Sequence, residues 1–118
     1  MQKTCDSDFW RALDKLIACS RVVIDRPRGS CHPRYPHVVY PLDYGYLENT
    51  SAMDGGGVDL WRGSDPAQKL VGIIATVDLL KRDTEIKLLV GLTEEEVQAA
   101  LAFDNNPYMN GLLILREE

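Results

Sequence analysis

Asp54-Gly-Gly-Gly-Val-Asp59 places a carboxylate at each end of a glycine-rich turn. Glycine lets the backbone bend sharply, so the flanking side chains can converge on one ion, and oxygen donors of this kind suit a hard cation such as Mg²⁺. Asp54 and Asp59 are therefore candidate metal ligands. An Asp-Gly pair is also an ordinary turn dipeptide, and the stretch gains its weight from the aromatic arm before it, Tyr40-Pro-Leu-Asp-Tyr-Gly-Tyr46.

A second acidic group, Asp78, Asp83 and Glu85, lies between Val71 and Leu88, with Lys87 close behind. A charged run such as Lys81-Arg82-Asp83 is usually a solvated hairpin tip. Where carboxylates from both segments meet, mutual repulsion raises their pKa values unless cations neutralise them. Bound Mg²⁺ or Mn²⁺ relieves that repulsion, lowers the pKa of a coordinated water and offsets charge on a leaving phosphate. Phosphoanhydride hydrolysis is the natural use of such a cluster. The loop before the aromatic arm adds Arg28, His32, Arg34 and His37. A guanidinium suits phosphate oxygens because it offers paired hydrogen bonds, although most such loop cations and histidines simply face solvent.

The elements that must position these groups follow from periodicity and turn chemistry. Phe9, Leu13, Leu16 and Ile17 recur at helical spacing and predict a helix from about Ser7 to Cys19. Arg21 to Asp25 is a short β-branched strand, and Arg26 to Pro36 is a long Pro- and Gly-bearing turn. His37 to Glu48 reads as a strand or an irregular extended arm. Strands are expected at Val58 to Arg62, Lys69 to Val77, Thr84 to Val90 and Leu112 to Leu115. Thr93-Glu-Glu-Glu96 has the capping-box pattern that opens a helix, here running to about Phe103. Short strands at this spacing, with a helix before and another late in the chain, predict an α+β fold: a small antiparallel β-barrel with peripheral helices.

With 118 residues, the chain fits a single domain spanning 1–118. Its net charge of −5 opposes the phosphate attraction that nucleic-acid binding needs, so no nucleic-acid partner is expected. Cys5, Cys19 and Cys31 lack Cys-x-x-Cys spacing and read as reduced thiols. Neither a signal-like segment nor a membrane-length apolar run is present, so a cytoplasmic protein with no membrane association is the expectation.

In order and spacing, the two motif stretches resemble the soluble, Mg²⁺-dependent family I inorganic pyrophosphatases. Members of that family carry a Tyr-Pro-x-Asn-Tyr-Gly-Tyr arm followed, at the same distance, by Asp-Gly-Asp-Pro-x-Asp. The resemblance covers roughly Arg21 to Leu92 and implies an OB-like, pyrophosphatase-type barrel that assembles as a homo-oligomer. It implies Asp54 and Asp59 as metal ligands, with Asp54 bridging two ions, and Asp78 as a further ligand. The family's Asp-x-Lys-Leu pattern matches Glu85-Ile-Lys87-Leu88 if the hairpin is two residues longer here; without that insertion the ligand is Asp83. Lys87 would contact a substrate phosphate as a point charge. Arg21 corresponds to a phosphate-binding strand Lys and Tyr44 to a phosphate-binding Tyr. Arg34 is preferred for a hairpin Arg over Arg28 and His32, with His32 kept as a substrate contact.

The sequence departs from the family pattern in three places. Gly56 stands where the family has an Asp that helps activate the attacking water. Val23 replaces a carboxylate, and Phe103 to Glu118 holds no Tyr-Lys pair, only Tyr108. Either Asp43, in place of an Asn beside Tyr44, or the His32-to-His37 loop stands in for that base; Asp43 is the more attractive, giving a catalytic set of Asp54, Asp59, Tyr44 and Asp43. Positioned acid–base groups contribute about 10²–10⁴-fold, so slow hydrolysis of pyrophosphate or a related small phosphoanhydride is expected. The alternative is a phosphate- or nucleotide-binding module that keeps the metal pocket without turnover, and behind it a purely structural interaction protein.

Overall fold

The structure, a computed structural model, describes residues 6–52 and 55–117. Asp54, expected to bridge two ions, lies outside the described residues, as does Cys5. The chain order is α1 (Asp6–Ala18), β1 (Val22–Arg26), β2 (Asp43–Leu47), β3 (Val58–Arg62), β4 (Leu70–Asp78), β5 (Asp83–Val90), α2 (Glu94–Phe103) and β6 (Met109–Leu115). The mixed α+β class is as expected. Among the described residues no helix is long and apolar enough to cross a membrane.

The strands form one six-stranded sheet in the order β1-β2-β3-β5-β4-β6. Four neighbouring pairs are antiparallel, but β3 and β5 run parallel, which departs from the wholly antiparallel sheet expected. The reason lies in the connection after β3. Segment 63–69 crosses the end of β5, with the Gly63 N–H on Val90 O at 2.9 Å and the Gly91 N–H on Lys69 O at 2.8 Å. That crossing puts β4 one position away from β3, and the β4–β5 hairpin then folds β5 into the gap. A Cβ on Gly63 would come within 2.4 Å of Gly91 O, so only glycine fits this crossing. β1 and β6 are the edges of an open sheet, and a closed barrel is not shown.

Alternation along each strand divides the side chains between two faces. One face buries Leu47, Leu60, Ile73, Leu88 and Val90 against Trp10 of α1, with Leu13, Leu16 and Ile17 packed beside it. The other buries Trp61, Ile74 and Leu89 against Tyr40, Leu42 and the α2 residues Val97 and Ala100. The α2 start is the expected capping box: Thr93 accepts from the Glu96 N–H, and Glu96 accepts from the Thr93 N–H. Burial pushes the Glu96 carboxyl up, but the N–H groups of Thr93 and Ser64 outweigh it and hold the group below its ordinary value.

The segment read as a long turn followed by an arm folds on itself instead. Gly29 donates to Tyr40 O at 2.9 Å, Tyr40 to Ser30 O at 3.0 Å and His32 to Val38 O at 2.8 Å, so the basic loop is a small antiparallel finger. Regular β2 begins only at Asp43.

Candidate functional site

Tyr44 pairs with Trp61 across β2 and β3, and Tyr46 pairs with Asp59. Diagonal neighbours on one sheet face lie within reach of a long side chain. Tyr44 uses this reach, and its hydroxyl donates to Asp59 Oδ2 at 2.6 Å. Burial, then the neighbouring Asp59 charge, pushes the Tyr44 phenol well above its ordinary value, which keeps it a proton donor. The glycines of both motifs have local reasons. A Cβ on Gly45 would stand 1.8 Å from Val23 O, where β2 pairs with β1 beside the irregularity between Ile24 and Arg26. A Cβ on Gly57 would meet the Tyr46 ring at 2.8 Å, so the glycine turn and the aromatic arm are packed together.

The same alternation brings Glu85 and Lys87 of β5 and Asp78 of β4 onto this face, with Lys87 opposite Ile74, Glu85 opposite Thr76 and Asp83 opposite Asp78. Glu85 is close enough that its charge adds to the upward push on Tyr44. Asp78 and Asp83 sit further along, at the mouth of the β4–β5 hairpin, where they line an open hollow of about 610 Å³. Asp78 Oδ1 accepts from the Leu80 and Lys81 N–H groups at 2.9 and 3.0 Å, closing the hairpin tip.

Lys87 is buried, with 6% of its surface exposed. Its ammonium lies 5.2 Å from the centre of the Tyr44 ring and donates to Asp104 Oδ1 at 3.4 Å. Asp104, at the C-cap of α2, is fully buried, and its Oδ2 accepts the Trp61 indole N–H at 3.0 Å. Burial raises the Asp104 carboxyl, and Lys87 and Trp61 pull it back only in part.

The expected phosphate contacts divide. Arg21 is exposed and pairs loosely with Glu48 at 3.8 Å on the rim. Arg34 and His37 are exposed on the finger, and His32 is half-buried there. His32 Nδ1 accepts from the Arg34 and Tyr35 N–H groups at 3.0 and 3.3 Å, which leaves its proton on Nε2. Burial foremost, then Arg26, Arg34 and Lys81, lowers the His32 pKa. The charges of Arg26, Arg34 and Lys81 thus reach the His32 imidazole from three separate elements.

Asp43 is not brought to this face. Its neighbours on the alternate side of β2 are Gly45 and Leu47, and its carboxylate accepts from the Arg28 N–H at 2.9 Å and the Arg62 guanidinium at 3.0 Å. The Arg28 N–H first, and Arg62 in addition, hold it below its ordinary value against the opposing push of burial.

Three participants escaped sequence reasoning. Asp104 stands just past the helix expected to end at about Phe103, and nothing in its local sequence signals burial. Trp61 read only as strand core. Arg26 read as the start of a turn, but it pairs with Tyr44, donates to the Tyr40 hydroxyl at 2.7 Å and lies over that ring at 5.6 Å. The strand period through Val22 and Ile24 was the available signal for Arg26.

For a divalent cation the donors fit in kind, since Asp59, Asp78 and Glu85 are carboxylates on one sheet face. Among the described residues, however, no three His, Cys, Asp or Glu side chains gather into one metal-binding group. The chain matches no protein-family model and no curated protein sequence.

Proposed function

We propose that this protein hydrolyses inorganic pyrophosphate, or a related small phosphoanhydride, with Mg²⁺ or Mn²⁺. The observation that carries the proposal is the 2.6 Å hydrogen bond from Tyr44 to Asp59. It joins the two motifs of the family resemblance on the face that also presents Glu85 and Lys87. Asp59, Glu85 and Asp78, together with Asp54, would hold the cation, whose part is to acidify water and offset phosphate charge. Tyr44, locked by Asp59, aims its hydroxyl at a fixed point of the site. Lys87 sets a positive charge beneath the Tyr44 ring, and Arg26, Arg34 and Lys81 around His32 offer cationic donors for a second phosphate group. The same reading takes β1 to β5 as a small OB-like barrel left open where β6 occupies the outer edge of β4. It also includes assembly of several copies, which sedimentation velocity measures.

Phosphate release from pyrophosphate by purified protein, with Mg²⁺ and then Mn²⁺, tests the proposal against Asp54→Ala and Asp59→Ala. Release that falls at least about 10²-fold in both variants supports it, since each removes a ligand as well as charge. No release from pyrophosphate or nucleotides ends it.

A second reading, a binding module without turnover, draws on Asp43. With Gly56 in place of the usual base, Asp43 was the substitute, and it is held on the opposite face by Arg28 and Arg62. Tight metal-dependent binding of pyrophosphate without hydrolysis would be its signature.

A further inference from the structure

We propose that Asp104 is a positioning residue for Lys87: it is the buried counter-charge that keeps the Lys87 ammonium under Tyr44, where it serves as an anion-recognition group. The inference rests on the reading of the Tyr44 face as a phosphate site.

A lone ammonium as buried as Lys87 is unfavourable, because desolvation exceeds what a ring face returns. Asp104 compensates it from the end of α2. That helix has no basic residue in its last turn, so Lys87, arriving from β5, is also the cation that complements the negative helix terminus. Asp104 is itself held from the other side by the Trp61 N–H at 3.0 Å. Its two oxygens are thus divided, one to the indole and one to the ammonium.

The 3.4 Å contact to Lys87 is long, and an ammonium has three donors. Asp104 therefore orients Lys87 without saturating it, which is what recognition of a second, exogenous anion requires.

Asp104→Asn tests the assignment. The amide keeps the size of the side chain but can accept from only one of the two donors, so Trp61 or Lys87 loses its partner. Affinity for inorganic phosphate, measured by calorimetry well below the melting point of each protein, is expected to fall about tenfold or more, the worth of one charged hydrogen bond. KM for pyrophosphate should rise by a similar factor, with a smaller change in kcat. Lys87→Met should show the same loss, and the double variant should be no worse than either single one, because Asp104 acts through Lys87. Asp104→Glu, which keeps the charge but moves it by one methylene, covers the case where the amide does not fold and should lose affinity to a lesser degree.

Lower melting temperature with unchanged phosphate affinity and KM would overturn the inference and leave the hydrolase intact. Phosphate binding that depends on Asp104, in a protein that releases nothing from pyrophosphate, would overturn the hydrolase and leave the inference intact. A wild-type protein that neither binds phosphate nor hydrolyses pyrophosphate would overturn both.

Discussion

Tyr44→Phe removes a single hydroxyl from the site and leaves the ring that covers Lys87. The lost hydrogen bond to Asp59 is charge-assisted and worth about 1.5–3 kcal/mol, so phosphate release should fall roughly 10- to 100-fold if the hydroxyl acts on the reacting group. Steady-state kinetics on pyrophosphate measures this, and unchanged kcat and KM would remove Tyr44 from the chemistry. Asp43→Asn should behave in the opposite way. Its carboxylate faces away from Tyr44 and is occupied by Arg28 and Arg62, so activity should stay within about twofold, as expected of a residue that performs no proton transfer. Its effect should appear in acid stability instead. A carboxyl held below its ordinary value stabilises the fold above about pH 4 and loses that contribution as pH falls through the lowered pKa. Acid unfolding followed by circular dichroism should therefore show a shallower decline below pH 4 in Asp43→Asn than in the parent.

At the scale of elements, the start of α2 and the close pairing of β1 with β2 carry the most specific demands. Thr93 and Glu96 exchange hydrogen bonds across the first turn of α2, and Glu96 also accepts from the Ser64 N–H at 3.1 Å. Thr93→Ala removes the acceptor for the Glu96 N–H and should cost about 1 kcal/mol in urea unfolding. The effect extends beyond the helix end, since α2 delivers Asp104 to Lys87. Gly45→Ala is the harsher change. Its new methyl would overlap Val23 O, 1.8 Å away, and backbone cannot yield there as a flexible side chain would. The expected outcome is loss of the β1–β2 pairing, read as a large fall in unfolding free energy and in strand content. A Gly45→Ala protein with parental stability would mean that the strands do not approach as described.

For the molecule as a whole, the ends of the described chain are tied together. Arg116, just beyond β6, makes two parallel 2.8 Å hydrogen bonds to Asp14 of α1 across 102 residues of sequence. Exposed ion pairs contribute about 0.2–1 kcal/mol, and this bidentate geometry belongs at the upper end of that range. Arg116→Ala should therefore lower stability by up to about 1 kcal/mol at low salt, with a smaller difference in 1 M salt, where such pairs are screened. Equal losses at both salt concentrations would show that the arginine acts by packing rather than by charge.

What could be read from the sequence alone was local. Helical spacing of Leu13, Leu16 and Ile17, the Thr93–Glu96 cap and the strand Val58–Arg62 all depend on residues a few positions apart, and each stands close to where it was expected. Three decisions belonged to the tertiary structure. Inserting β5 between β3 and β4 made one pair parallel, because the crossing at Gly63 and Gly91 is a long-range packing choice that strand period does not encode. Folding the basic loop into a finger brought His32 within reach of the charges of Arg26 on β1 and Lys81 at the β4–β5 tip, two cations distant from it in sequence. Burying Asp104 turned a helix-end residue into the partner of Lys87, because burial is set by what packs above a residue, and here that cover comes from strands far away in the chain.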